Sequence, residues 1–206
     1  VQGHRVVHAR GYGVRQLGQR APVDADTLFA IASNTKALTT LLLAQLVDEG
    51  KLRWDEVVAE AYPGFKLGDA ATTAATRIEH LVCACTGLPR KDLELQFEFG
   101  RFTPEMEIAA LAQIQPTTKF GEAYQYSNQL AAAAGFIPGH VAAPGRELGK
   151  SYAEAVQARI FNPLGMKDTD FYLSSSQASG RVAQPPRGGR PFDPTVRHPM
   201  MYGTNG

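Results

Sequence analysis

Ser33 and Lys36 are the residues whose types and spacing most directly suggest catalysis. They stand three positions apart, immediately before an apolar segment that runs from Ala37 to Val47. Residues three apart on a helix lie on the same face, so the lysine amine can reach the serine hydroxyl. A helix N-terminus also supplies free N–H groups and the positive end of the helix dipole. These groups favour a serine alkoxide and an acyl oxyanion, so the pattern indicates a nucleophilic serine.

A purely structural role is the alternative for this segment. Ser33 would then cap the helix, and Lys36 would be solvated in its first turn. The helix dipole favours acidic residues there rather than a lysine, which supports the catalytic interpretation. Leucines occur on every side of the following segment, so we expect a helix that is buried all round and ends at Gly50.

A second group of polar side chains lies at Tyr126-Ser127-Asn128, just before the small-residue run from Ala131 to Gly135. A tyrosine beside a lysine ammonium loses its proton more readily, which makes Tyr126 a candidate general base. Asn128 offers an acceptor and two donors to a substrate amide. A surface turn leading into a packed helix is the alternative, and it would be preferred if this motif stood alone.

Together, Ser33-Asn34-Thr35-Lys36 and Tyr126-Ser127-Asn128 resemble the first two motifs of the serine β-lactamase and penicillin-binding-protein superfamily. The tyrosine form of the second motif is similar to that of class C β-lactamases, D-alanyl-D-alanine carboxypeptidases and β-lactamase-like esterases. Ala84 departs from the pattern, because many relatives carry a histidine there. Further similar stretches extend the likeness over most of the chain: residues 44–52, Thr86-Gly87-Leu88-Pro89 and residues 161–169.

The resemblance implies an α+β fold of the β-lactamase/transpeptidase type, in which an antiparallel sheet is flanked by helices and carries an inserted all-helical lobe. Residues 1–53 would form the N-terminal strands and the nucleophile-bearing helix, residues 54–172 the helical lobe, and residues 173–206 a connector back to the sheet. Local patterns add a strand hairpin over residues 5–9 and 11–15, helices at Thr76–Cys85, Pro104–Ile114 and Tyr152–Ile160, and Thr103 as an N-cap.

The third motif of such enzymes, Lys-Thr-Gly or His-x-Gly, is not found in this sequence. Relatives of this type are longer, and their chain returns to complete the sheet at about the point where this sequence reaches Gly206. The sequence also begins at Val1, without an initiator methionine or a signal peptide. We therefore expect an N-terminal part of a larger enzyme, with the C-terminal part of the sheet missing and acting as a partner.

The resemblance also implies roles for the two motifs. Ser33 would be the nucleophile, Lys36 would lower the cost of the alkoxide and pass protons, and Tyr126 would be the general base. Asn128 would orient the substrate. One oxyanion donor would be the Ser33 N–H, and the second would come from the missing strand. No metal or organic cofactor is expected.

Composition and charge are those of an ordinary globular protein. Hydrophobic residues make up 44% of the chain, charged residues 20%, and the formal net charge is +1. This balance gives no reason to expect binding to nucleic acid or to an anionic membrane, and the longest apolar run is too short for a transmembrane segment. Localisation stays open, and an extracytoplasmic site is suggested only by the resemblance.

For two other groups of residues we prefer a structural role to a functional one. Cys83 and Cys85 are too close to bridge comfortably, and together with His80 they lack the spacing and the fourth ligand of a zinc site, so buried thiols are expected. Aromatic residues at Phe97, Phe99 and Phe102 would either rim an acyl pocket or, as we prefer, belong to the core.

The predicted function is therefore a serine hydrolase that cleaves an amide or ester, such as a β-lactam, a D-alanyl peptide or a small ester, through an acyl-enzyme on Ser33. A penicillin- or peptidoglycan-recognising module without turnover is the alternative from another class, and a carboxylesterase is the alternative among enzymes. The same superfamily fold hosts all of these, so the fold alone does not choose between them.

Overall fold

A computed structural model gives the structure of the chain and describes residues 1–91, 103–171, 173–184, 186, 187, 190 and 191. Two compact units are present in this part of the chain. The terminal unit comprises residues 1–30 and the described residues from 173 to 191, and the helical unit comprises residues 31–171. The three-part division expected from the sequence stays a prediction.

Helices dominate the helical unit. Its α-helices within the described residues are α1 (Thr35–Asp48), α2 (Val58–Ala61), α3 (Ala70–Ala75), α4 (His80–Cys83), α5 (Pro104–Ala110), α6 (Asn128–Ala142) and α7 (Leu148–Val156). Short 3-10 turns occupy Ala32–Asn34 and Leu111–Gln113, and a π-helical turn at Gln157–Phe161 continues α7. None of the helices in the described residues combines the length and the apolar character needed to cross a membrane.

The core of the helical unit lies where α1, α6 and α7 pack together. The helix α6 is built largely from alanine and glycine, so its neighbours approach closely, and twelve of its residues are buried. Tyr152 of α7 is the largest side chain in this core and is 1% exposed. Its hydroxyl forms a 2.9 Å hydrogen bond with Thr39 Oγ1, which ties α7 to α1.

The helix α1 ends as the sequence predicts. Gly50 adopts a left-handed φ of +69°, which a residue without a Cβ tolerates best. Its N–H donates to the Val47 carbonyl at 2.9 Å. The expectation of burial on every side is wrong, however, because Leu41 is 42% exposed.

The helix expected at Thr76–Cys85 is also wrong in its first half. The chain at Thr76 is extended, and the helix begins only at His80. The backbone before His80 pairs instead with the segment before α2: Val58 N–H donates to Thr76 O, and Ile78 N–H donates to Glu56 O, both at 3.0 Å. Tertiary pairing has overridden the local helical pattern here. The helix expected from Pro104 is present, and Thr103 caps it by accepting from the Met106 N–H.

The terminal unit contains the helix α8 (Leu173–Ala178) and the antiparallel strands β1 (Pro186–Arg187) and β2 (Arg190–Pro191). The hairpin expected over residues 5–9 and 11–15 does not form. Val14 instead bridges to Pro22, and Arg15 N–H donates to Ala21 O at 2.9 Å. The Arg15 side chain reinforces this pairing, because its Nε donates to Pro22 O at 3.1 Å. The alternation of residue types that predicts the hairpin gives no indication of this contact.

Candidate active site

The four side chains singled out by the two motifs meet at one place in the helical unit. Ser33 Oγ and Tyr126 OH form a 2.8 Å hydrogen bond, although the two residues are 93 positions apart in the chain. Lys36 Nζ donates to Ser33 Oγ at 3.2 Å and to Asn128 Oδ1 at 2.8 Å. The two motifs are therefore joined into one polar network. The catalytic roles assigned to these residues remain predictions.

Ser33 lies in the 3-10 turn that leads directly into α1, and it is exposed. Lys36 is the second residue of α1, so it stands one turn from Ser33 and can donate to its hydroxyl. Asn34 secures the turn, because its Nδ2 donates to the Ile31 carbonyl at 2.7 Å. The serine is thus presented at a helix N-terminus, where backbone N–H groups and the positive dipole end are available to an anion.

Ala32 holds an uncommon backbone conformation immediately before Ser33. Its φ is +44°, in the left-handed region that residues with a Cβ rarely occupy. Such strain persists where the surrounding structure imposes it, and it is frequent at functional sites. The sequence gives no indication of this conformation, because alanine is not a residue that favours a positive φ.

Tyr126 and Asn128 are positioned by the start of α6. Ser127 is the N-cap of this helix, and its Oγ accepts from the Leu130 N–H at 3.2 Å. Asn128 is the first residue of α6 and is fully buried, so its side chain is held rigidly where Lys36 can donate to it. Tyr126 precedes the cap and is only partly buried.

The stretch before Tyr126 is tied to the loop that follows α4. Gln125 N–H donates to Ala84 O at 2.7 Å, and Gln125 Nε2 donates to Gly87 O at 3.2 Å. Gly87 has a φ of +83°, and a Cβ there would lie 2.3 Å from Thr118 O. A glycine is therefore required, which gives the Thr86-Gly87-Leu88-Pro89 stretch a structural reason.

Cys83 and Cys85 form a disulfide, so the expectation of two separate buried thiols is wrong. Ala84 between them adopts a left-handed conformation with a φ of +54°. This turn brings the two Cα atoms to 5.3 Å, within the usual range for a disulfide, where the sequence predicts a helix. Among the described residues, no three His, Cys, Asp or Glu side chains are grouped so as to hold a metal ion.

Tyr126 is the site residue whose ionisation is most affected by its surroundings. Partial burial raises the pKa of Tyr126. The hydrogen-bonding interactions with Lys36 and Ser33 and the positive charges of Lys36 and Arg90 lower it by more, so the pKa lies below its ordinary value. A lowered pKa is what a tyrosine needs to act as a base nearer to neutral pH.

Arg90 is a residue of the site that the motifs do not reveal. Its Cζ lies 5.1 Å from the centroid of the Tyr126 ring, and Lys36 Nζ lies 5.0 Å from the same centroid. Arg90 directly follows the Thr86-Gly87-Leu88-Pro89 stretch, and this resemblance is the sequence signal that could have drawn attention to Arg90.

A cavity of about 110 Å3 adjoins the site. Lys36 and Tyr126 line it together with mainly apolar or small side chains: Thr39, Thr40, Leu81, Val82, Ala84, Tyr124, Ser127, Leu130, Ala131 and Ala134. It offers room for a small apolar group beside Lys36 and Tyr126. The aromatic residues Phe97, Phe99 and Phe102, considered above for such a pocket, lie outside the described residues.

Comparison with known proteins assigns the chain to a family. The model of the Beta-lactamase family matches residues 1–206. The octameric penicillin-binding protein homologue from Pyrococcus abyssi is similar with a TM-score of 0.77 and 26% identity, over 97% of this chain and 46% of that one. A class C β-lactamase from Rhodobacter sphaeroides gives 0.69 and 26%, over 93% and 51%. The D-amino acid amidase from Ochrobactrum anthropi gives 0.68 and 27%, over 92% and 52%.

These likenesses show a β-lactamase/transpeptidase-like fold. The chain spans about half the length of these solved proteins and about a third of the length of the first curated relatives that it matches. Because the family match extends from the first residue to the last, this chain belongs to the β-lactamase family.

Proposed function

We propose that the protein is a serine hydrolase that cleaves an amide or ester through an acyl-enzyme on Ser33. The observation that supports this most strongly is the hydrogen-bonded chain from Tyr126 OH through Ser33 Oγ to Lys36 Nζ and Asn128 Oδ1. A nucleophile, a base within hydrogen-bond reach and a cation that touches both motifs are the parts that acyl transfer requires.

The reaction would begin with transfer of the Ser33 proton to the Tyr126 phenolate. Ser33 Oγ then attacks the substrate carbonyl, and the Ser33 N–H at the helix N-terminus stabilises the oxyanion. Tyr126 returns the proton to the leaving amine or alcohol, which leaves an ester on Ser33. In the second half, Tyr126 accepts a proton from water while the resulting hydroxide attacks the ester carbonyl. The bond between the acyl carbon and Ser33 Oγ then breaks, the acid product leaves, and Tyr126 returns the proton to Ser33 Oγ, which restores the phenolate.

Lys36 and Asn128 would support these steps without changing covalently. The Lys36 ammonium stabilises the negative charge that passes between Ser33 and Tyr126. Asn128 is buried and bonded to Lys36, and its amide would help to orient the substrate. The second oxyanion donor is proposed to come from outside these 206 residues, in keeping with the greater length of the relatives.

The proteins similar to this chain include a β-lactamase and a D-amino acid amidase. We propose amides as substrates for this reason, and esters because the same acyl-enzyme chemistry cleaves them. A fluorophosphonate or a fluorescent penicillin should label the complete protein at Ser33. Ser33→Ala should abolish labelling, whereas Ser179→Ala, in the terminal unit, should leave it intact.

A substrate panel then separates the alternatives. Turnover of nitrocefin or D-alanyl peptides would indicate amide cleavage, and turnover of short nitrophenyl esters alone would indicate a carboxylesterase. Labelling of Ser33 without turnover of any of them would indicate a penicillin-recognising module. An adduct on a different residue, mapped by mass spectrometry, would contradict the proposal.

A further inference from the structure

Arg90 and Lys36 place two positive charges against one aromatic ring. Their charged groups lie 5.1 Å and 5.0 Å from the Tyr126 ring centroid, and they approach from different elements, the loop after α4 and the helix α1. These are the charged groups that act on the ionisation of Tyr126, and both have the same sign.

The backbone that carries Arg90 is fixed on both sides. On the N-terminal side, Leu88 is fully buried, and Gly87 O accepts from Thr117 N–H at 2.8 Å and from Gln125 Nε2 at 3.2 Å. On the C-terminal side, Gln129 Nε2 donates to Lys91 O at 2.7 Å, and Gln129 is 3% exposed. Arg90 is therefore held in place although its own side chain is exposed.

The two glutamines that hold this loop also flank the second motif. Gln125 directly precedes Tyr126, and Gln129 directly follows Asn128. The same short stretch thus fixes both the base and the segment that bears Arg90. A guanidinium over an aromatic face is attracted by the ring quadrupole, and its planar shape lets it stack on the ring.

We propose that Arg90 is a positioning residue of this site, which keeps the Tyr126 ring directed at Ser33 and, together with Lys36, favours the phenolate form of Tyr126. This inference rests on the proposed function only where it concerns catalysis. Its electrostatic part can be measured on the resting protein, without substrate.

The direct test is a titration of Tyr126 followed by NMR of [13Cζ]-tyrosine, with the signal assigned from Tyr126→Phe. Arg90→Gln removes a charge that lies 5.1 Å from the centre of the Tyr126 ring, so it should raise the midpoint of Tyr126 by about half a pKa unit. Arg90→Lys should retain most of the effect, because the charge remains. Arg146→Gln, which removes an arginine paired with Glu154 elsewhere in the helical unit, is the matched control and should cause no shift.

The kinetic test uses the complete protein and the dependence of kcat/KM on pH. On the ascending limb, Arg90→Gln should lower kcat/KM about 3-fold more than on the alkaline plateau, because a shift of half a pKa unit corresponds to about that factor. Any loss that remains on the plateau measures the effect of a misdirected Tyr126 ring. A merely structural role would lower kcat/KM equally at every pH.

An unchanged Tyr126 midpoint in a folded Arg90→Gln protein would overturn the inference. Thermal unfolding verifies the fold, and Arg90→Met gives a second neutral variant if the glutamine protein is unstable. If Ser33 fails to react but the midpoint still shifts, the proposed function fails and the electrostatic role of Arg90 stands. If Ser33 reacts and the midpoint does not move, only the inference about Arg90 fails.

Discussion

Lys36 links the two motifs, because one ammonium group donates to a residue from each. It reaches Ser33 Oγ at 3.2 Å and Asn128 Oδ1 at 2.8 Å. Its removal would take away the cation beside Ser33 and Tyr126 and would leave the buried Asn128 carbonyl without this donor. Loss of a buried partner is costly, so both the chemistry and the alignment of the site should suffer.

The first prediction is therefore that Lys36→Met lowers the rate of Ser33 acylation by about 10²-fold or more. Residues that act as a unit lose most of their effect when any one is removed. Stopped-flow labelling with a fluorescent penicillin measures this rate. Lys51→Met, beyond the C-terminal end of α1, is the control and should react normally. Near-native labelling of the Lys36 variant would mean that Ser33 is not activated in this way.

At the level of single residues, the sequence predicts the local part of the site better than the rest. The approach of Lys36 to Ser33 follows from their spacing on one helix face, and the approach of Tyr126 was expected only through the family resemblance. The contacts of Arg90 could not be predicted, because they depend on a loop held by Gln125 and Gln129. The Cys83–Cys85 bridge was missed because it depends on the left-handed conformation of Ala84.

At the level of elements, α6 and α7 touch through a glycine. A Cβ on Gly139 would lie 2.7 Å from Tyr152 N and 2.8 Å from Tyr152 Cα, both backbone atoms that cannot move aside easily. Gly149, on α7, differs. A Cβ there would meet Glu147 Oε1 at 2.9 Å, which is the end of a flexible side chain, and Pro104 Cγ at 3.3 Å, and it would meet no backbone atom this closely.

These two glycines give a matched pair for the second prediction. Gly139→Ala should lower the free energy of unfolding by about 1–3 kcal/mol, because the packed helices must separate. Gly149→Ala should leave it unchanged or raise it by up to about 1 kcal/mol, through the better helix propensity of alanine. Urea denaturation measures both. Equal effects from the two substitutions would show that α6 and α7 are not in close contact at Gly139.

Helix boundaries could be predicted where a local residue caps them, as with Thr103 at the start of α5 and Gly50 at the end of α1. The predicted boundary was wrong where long-range backbone pairing decides it, as before His80. The π-helical turn at Gln157–Phe161 has no local sequence signal of this kind.

At the level of the whole molecule, Tyr152 should make the free energy of unfolding change with pH in the alkaline range. Burial raises the pKa of Tyr152 to about 12, and its hydrogen bond with Thr39 opposes this only in part. In the unfolded chain a tyrosine ionises near its ordinary value of about 10. The contribution of this neutral phenol is therefore complete below about pH 10 and is lost as the pH rises towards about 12.

The third prediction follows from that window. Between about pH 10 and 12, the free energy of unfolding should fall by up to about 1.4 kcal/mol per pH unit because of Tyr152 alone, and Tyr152→Phe should remove this part of the slope. Tyr152→Phe should also cost about 1 kcal/mol at neutral pH through the lost hydrogen bond. Tyr124→Phe, at a residue that is 73% exposed, should keep the slope. Urea denaturation at several pH values measures it, and an unchanged slope in Tyr152→Phe would contradict the burial argument.

The family and the β-lactamase/transpeptidase-like fold could be recognised from the sequence, because short motifs carry them. The antiparallel sheet expected from the resemblance stays a prediction, since regular strands within the described residues are confined to β1 and β2. The exposed face of α1 at Leu41 could not be predicted from the leucines alone, because their number does not indicate which side has a neighbour.

The hydrogen bond between Ser33 and Tyr126 spans 93 positions, and this has a consequence for folding kinetics. Helical turns form within about a microsecond from local contacts, whereas a contact between such distant residues must wait for loop closure and for α1 to dock on α6. A collapsed chain with most of its helix content would thus have Ser33 without Tyr126 beside it. Labelling by a serine-directed probe would therefore report only the chains whose long-range packing is complete. Circular dichroism would also report the chains that have formed helices without this packing.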